Sequence, residues 1–127
     1  MANILVIDDD EDVRGLIRLF LEPDGHTILE AGNGEDGLRL HTQHPAEIII
    51  SDIFMPGKDG LQVIRTLAKS GVRIIAISGG MKFDNADFLN LARKLGASQA
   101  LYKPFDQQQL RAAVAASLAR SGPVQRA

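Results

Sequence analysis

Short β-branched runs alternate with helix-length stretches along this chain, and that alternation argues for strand–helix units repeated around an open parallel sheet. The runs are Ile4-Leu5-Val6-Ile7, His26-Thr27-Ile28-Leu29-Glu30-Ala31, Ile48-Ile49-Ile50-Ser51-Asp52, Arg73-Ile74-Ile75-Ala76-Ile77 and Gln99-Ala100-Leu101-Tyr102. Between them apolar residues recur at helical spacing. Val13, Leu16, Ile17 and Phe20 precede a Pro23-Asp24-Gly25 stop, and Leu61, Ile64, Leu67 and Ala68 precede Gly71. Phe88, Leu91, Ala92 and Leu95 lie in a helix over 85–95 that stops at Gly96, and Leu110, Ala113, Val114 and Leu118 in one over 106–120. A helix over 34–43 is the weakest, because Gly34 and Gly37 each cost about 1 kcal/mol relative to Ala in a helix interior, which leaves room for some fraying there. The pattern predicts an α/β fold with five strands and five helices.

At 127 residues the chain is expected to be one domain over 1–120 with a breaker-rich tail at 121–127, large enough to bury roughly two thirds of its unfolded surface. It contains no Cys, which excludes disulfides and thiolate metal sites. The apolar runs are far shorter than a membrane span and the N-terminus lacks a signal-peptide pattern, so a cytoplasmic location away from membranes is expected. The formal net charge is −2, with acids concentrated after the first strand and no basic stripe, which argues against direct nucleic-acid binding. His26, His41 and His44 sit apart from the strand-end acids and read as surface positions rather than metal ligands.

Chemistry in an open parallel sheet collects outside the carboxyl ends of the strands. Here the first strand ends in Asp8-Asp9-Asp10-Glu11-Asp12, the third in Asp52, the fourth in Ser78-Gly79-Gly80 and the fifth in Lys103-Pro104-Phe105. An acidic run on its own also reads as a solvated helix N-terminus favoured by the macrodipole. Joined to Asp52, it makes a negative pocket that needs a counter-ion. A hard divalent cation such as Mg²⁺ suits it, with Asp9 and Asp52 as direct ligands and Asp8 holding a metal-bound water. Lys103 adds a positive charge suited to an extra anionic group rather than to carboxylates that already hold metal, and Ser78 with its neighbouring N–H groups adds donors. That set fits a phosphoryl group, with Asp52 as the nucleophile.

Taken together, Ile4-Leu5-Val6-Ile7-Asp8-Asp9 with Arg14 following, Asp52-Ile53-Phe54-Met55-Pro56-Gly57-Lys58-Asp59-Gly60, Ser78-Gly79, Gly96-Ala97 and Lys103-Pro104-Phe105 resemble the receiver domains of bacterial two-component response regulators. The resemblance implies a doubly wound, flavodoxin-like sheet of order 2-1-3-4-5. It implies that Asp52 accepts a phosphoryl group from a histidine kinase or phosphotransfer protein. Asp8, Asp9 and Asp52 with the backbone carbonyl of Phe54 would bind Mg²⁺, Ser78 would be the switch hydroxyl, and Lys103 would pair with the phosphoryl oxygens. The Lys103–Pro104 bond is expected to be cis. Signalling is expected through another protein, docked on the face of helix four, strand five and helix five. In one departure, Ala100 stands where the family usually carries an aromatic switch residue; Tyr102 lies on the same side of the strand and reads either as a partial substitute or as a packed, immobile ring.

Three rivals differ at named positions. A phosphatase or mutase of the haloacid-dehalogenase type needs a second acid two residues after its nucleophile, where this chain has Phe54. A flavin-binding module needs an anion-welcoming loop after the first strand, where Asp8 to Asp12 would repel phosphate. A constitutive protein-interaction module with vestigial phosphorylation is suggested by Ala100 and opposed by the complete acceptor set.

Overall fold

A computed structural model describes residues 1–52, 60–78 and 85–119, with backbone alone for Gly60, Leu61, Val63, Ile64, Ser78 and 85–89. Five parallel strands, β1 (Asn3–Ile7), β2 (Thr27–Ala31), β3 (Ile48–Asp52), β4 (Arg73–Ser78) and β5 (Gln99–Tyr102), form one sheet of order β2-β1-β3-β4-β5. The helices are α1 (Glu11–Leu21), α2 (Gly34–Gln43), α3 (Gly60–Ala68), α4 (Asn85–Leu95) and α5 (Gln107–Ala119), with a short 3₁₀ turn at Glu22–Asp24 after α1. This is the expected doubly wound, flavodoxin-like architecture. The proposed tail 121–127 lies outside the described residues.

The apolar runs are continuous because both faces of the central strands are covered. Ile4, Val6, Ile48, Ile50, Ile75 and Ile77 pack with Ile17 and Leu21 of α1 and Leu110 and Val114 of α5. The alternate residues Leu5, Ile7, Ile49, Ile74 and Ala76 pack on the other side with Leu67 of α3 and Ala92 and Leu95 of α4. Period-two alternation in the strands therefore fills two core layers.

Several expectations need correction. Leu16 is not part of the buried stripe of α1; it is 39% exposed, while Leu21 is fully buried. Ile17 and Leu21 are one helical turn apart and set the inward face, from which Leu16 is rotated by about 100°. The β2 ladder begins at Thr27, because His26 instead uses Nδ1 to accept the Ala2 N–H at 3.1 Å. His41 likewise accepts the Ala46 N–H, and both imidazoles are half-buried rather than simple surface groups, whereas His44 is exposed. The last helix starts at Gln107 because Asp106 caps it: Asp106 Oδ1 accepts the Gln109 N–H at 2.7 Å and Gln109 Oε1 accepts the Asp106 N–H at 2.9 Å. It is described to Ala119, and Arg120 lies outside the described residues, as do the side chains of Leu61, Ile64 and Phe88.

Helix α2 is regular over its full predicted span rather than frayed. Asn33 caps it, accepting the Asp36 N–H at 2.8 Å. Gly37 is buried, and a Cβ built there would collide with Cδ1 and Cγ1 of Ile7. Its glycine is a packing requirement of α2 against β1, and the close approach offsets the helix-propensity cost. Gly15 on α1 is the opposite case, exposed and with nothing near a built Cβ.

Two glycine-to-alanine substitutions should therefore move stability in opposite directions. Gly15→Ala is expected to stabilise by up to about 1 kcal/mol through helix propensity. Gly37→Ala should destabilise, because overpacking costs roughly 1–3 kcal/mol and exceeds that gain. Urea unfolding midpoints of the two variants and the parent check both signs.

Candidate functional site

The site lies at the carboxyl edge of the sheet and is built from the ends of β1, β3 and β5. Asp8 directly follows β1, and its N–H continues the parallel ladder to the Ala31 carbonyl at 3.1 Å. Asp52 is the last residue of β3 and pairs with Ile77 in register. Both carboxylates are buried, Asp8 completely, while Asp9 is exposed. One carboxylate oxygen from each of Asp8, Asp9 and Asp52 lies within 4.8 Å of the others. Such an all-oxygen donor set suits a hard divalent cation.

Lys103, the residue after β5, reaches across the sheet edge to this cluster. Its Nζ donates to Asp8 Oδ2 at 3.0 Å and Asp52 Oδ2 at 3.3 Å. The buried acids need a cation, and the ammonium is within direct reach. Burial pulls the Lys103 pKa down, but the hydrogen bond to Asp8 and the charges of Asp52 and Asp8 outweigh it, so it is held above the ordinary lysine value. The Lys103–Pro104 peptide bond is cis, as the resemblance implies.

The acidic run divides into two jobs. Asp8 and Asp9 face the site. Asp10 caps α1, accepting the Asp12 N–H at 2.9 Å, and Glu11 and Asp12 occupy its first turn, where the helix dipole favours acids. The Asp10 N–H also donates to Asp8 Oδ1 at 2.8 Å. With Lys103 on Oδ2, each oxygen of Asp8 therefore has a protein donor.

Not every expected residue falls within the described structure. Phe54, Gly79 and Gly80 lie outside the described residues, as does the side chain of Ser78, whose backbone ends β4 beside Tyr102. Ala100 and Tyr102 are both half-buried and pack on the same side of the sheet, against the α3–α4 core layer, as the period-two rule requires.

A second group was not apparent from sequence. Glu30 on β2 lies between two arginines of α1, its Oε1 3.1 Å from Arg14 Nε and its Oε2 2.7 Å from Arg18 Nε. Arg14 Nη1 also donates to the Asp8 carbonyl at 2.7 Å. The available signal was a charged residue two positions from Ile28, on the strand face covered by α1, opposite arginines spaced i, i+4.

With that geometry in place, the chain is a doubly wound α/β protein with an acid–lysine site at its strand ends. The family described as response regulator receiver domain matches residues 4–115, and the chain belongs to that family. It is the receiver domain of a two-component response regulator. Receiver domains are signalling switches that take phosphoryl groups from histidine kinases and act on downstream targets.

The chain is 34% identical to protein PilH of Pseudomonas aeruginosa over 123 residues, 94% of this chain and 99% of that protein. It is 35% identical to response regulator GtcR of Aneurinibacillus migulanus over 119 residues, 94% of this chain but 48% of that protein. It thus spans about half the length of several curated relatives it matches. Among solved structures, a response regulator receiver domain protein from Clostridium thermocellum superposes with a TM-score of 0.82 at 32% identity, covering 94% of this chain and 95% of that one.

The Arg14–Glu30–Arg18 cluster makes stability pH-dependent. Burial pushes the Glu30 carboxyl up, but hydrogen bonds from Arg18 and Arg14 outweigh it and hold the group below its ordinary value of 4.5. A depressed carboxyl contributes stability above its unfolded value and loses it as pH falls through the folded one. Glu30→Gln should therefore cost about 1 kcal/mol at neutral pH, and the difference from the parent should disappear under acid, as read by urea unfolding across pH.

Proposed function

We propose that Asp52 is the phosphoacceptor of a Mg²⁺-dependent switch, and the observation that carries this reading is the convergence of Asp8, Asp9, Asp52 and Lys103 on one sheet edge. The phosphoryl donor is a histidine kinase or a histidine phosphotransfer protein. An oxygen of Asp52 forms the new P–O bond as the donor's P–N bond breaks, and the imidazole leaves with the electron pair. Asp9, Asp52 and the Phe54 carbonyl would hold Mg²⁺, with Asp8 on a bound water, and the ion would supply charge stabilisation for the transferring group. Lys103 is the chain's own mobile charge: its ammonium shifts from the carboxylates to the phosphoryl oxygens, and Ser78 donates from the end of β4. The chain catalyses nothing beyond its own phosphorylation and dephosphorylation.

The added phosphoryl group carries about −1.5 to −2 charge at neutral pH. Closing Ser78 and Lys103 on it biases the loops after β3 and β4, and the α4–β5–α5 face changes its affinity for a downstream protein. Ala100 leaves the usual aromatic reporter absent, and Tyr102 on the same side of β5 is either a partial substitute or a packed, immobile ring. The proposed setting is the cytoplasm, where a histidine kinase would meet the switch. The formal charge of −2 and lack of a basic stripe argue against direct nucleic-acid binding, and no described helix is long and apolar enough to cross a membrane.

Incubation with acetyl phosphate and Mg²⁺ tests the acceptor. The expected result is a gain of one phosphoryl mass that is sensitive to hydroxylamine, maps to Asp52, is lost in Asp52→Asn and is suppressed by chelating the metal. No modification with either acetyl phosphate or a histidine-kinase donor would favour the constitutive interaction module.

A further inference from the structure

Asp8 and Asp9 enter the site on a single stretch of backbone between β1 and α1. Where their carboxylates sit therefore depends on what holds that stretch. On one side the Asp8 N–H is tied to the Ala31 carbonyl. On the other, the Asp8 carbonyl is held by Arg14 Nη1 at 2.7 Å. Arg14 is only 17% exposed, and its guanidinium is aligned by Glu30, which is held in turn by Arg18. Arg18 is anchored by Glu22 at 2.6 Å and by the Ile28 carbonyl at 3.1 Å. A continuous chain of charge-assisted hydrogen bonds thus runs from the edge strand β2 to the first acid of the site.

We infer that Glu30 and Arg14 form a clamp that positions the Asp8–Asp9 segment for divalent-cation binding. The inference rests on the Mg²⁺ reading above and makes both side chains positioning residues. The placement of the charges supports this role. Arg14 touches the carbonyl of Asp8, and its positive charge by itself opposes a cation nearby. Its benefit to the metal site is therefore geometric: the planar fork spans the Asp8 carbonyl and the Glu30 carboxylate at once, which a lysine ammonium cannot reproduce. Outer partners of this kind commonly govern metal affinity by 10–100-fold.

The sign of the charge effect separates the clamp from simple electrostatics. Mg²⁺ alone is titrated into the parent, Arg14→Gln, Arg14→Lys, Glu30→Gln and the double variant Arg14→Gln/Glu30→Gln, followed by amide chemical shifts, with thermal unfolding recorded alongside. The clamp predicts a Mg²⁺ Kd about 10–100-fold weaker in Arg14→Gln, clear weakening in Arg14→Lys and Glu30→Gln, and no further loss in the double variant. Electrostatics alone predicts tighter binding in Arg14→Gln and none of the loss in Arg14→Lys. A merely structural staple would lower the unfolding temperature and leave the Kd unchanged. Parent-like or tighter binding in Arg14→Gln overturns the clamp, and if that variant does not fold, parent-like binding in Arg14→Lys does so. Absence of Mg²⁺ binding in the parent would instead defeat the metal reading itself.

Discussion

A lysine ammonium between two buried aspartates is the interaction on which this site depends. At an effective dielectric near 20, two like charges about 4.8 Å apart repel by roughly 3 kcal/mol, and Asp8 and Asp52 are within that separation with almost no access to solvent. Lys103, contacting both, supplies the compensating charge that burial demands. The three residues sit at or just past the ends of strands β1, β3 and β5, so their meeting requires the correct strand order and register. A parallel sheet makes the arrangement possible by delivering all the strand ends to one edge. The two-sided core then fixes those ends in place.

The same compensation bears on the proposed switch. In that reading a cation that relieved the acids would free the ammonium for another anion, a phosphoryl group on Asp52. Charge would then be redistributed among groups already at the sheet edge.

Much of this was legible in the residues. The order of strands and helices followed from runs such as Ile48-Ile49-Ile50 and from stripes such as Leu110, Ala113 and Val114, because burial on two faces and on one face leave different periodicities. Asp8, Asp9, Asp52 and Lys103 could be placed together because each lies at or just past the carboxyl end of a strand. Less legible were features decided by tertiary approach. Leu16 and Leu21 both suit a helix interior, and only the docking angle of α1 assigns one outward and the other inward. Gly37 reads as a defect until Ile7 is seen beneath it. Glu30 reads as an ordinary strand acid until α1 lays two arginines across it, and the division of labour between Asp8 and Asp10 depends on where that helix begins.

The central claim, that this acid–lysine cluster is a divalent-cation site, is tested most directly by the unfolding free energy of the unmodified protein as a function of Mg²⁺ at constant ionic strength. Binding to the folded state alone requires stability to rise by RT ln(1 + [Mg²⁺]/Kd), about 1.4 kcal/mol for each tenfold increase above Kd. The account predicts that rise, and its loss when Asp9 is replaced by Asn. Stability that is the same in chelator and in excess Mg²⁺ would contradict it.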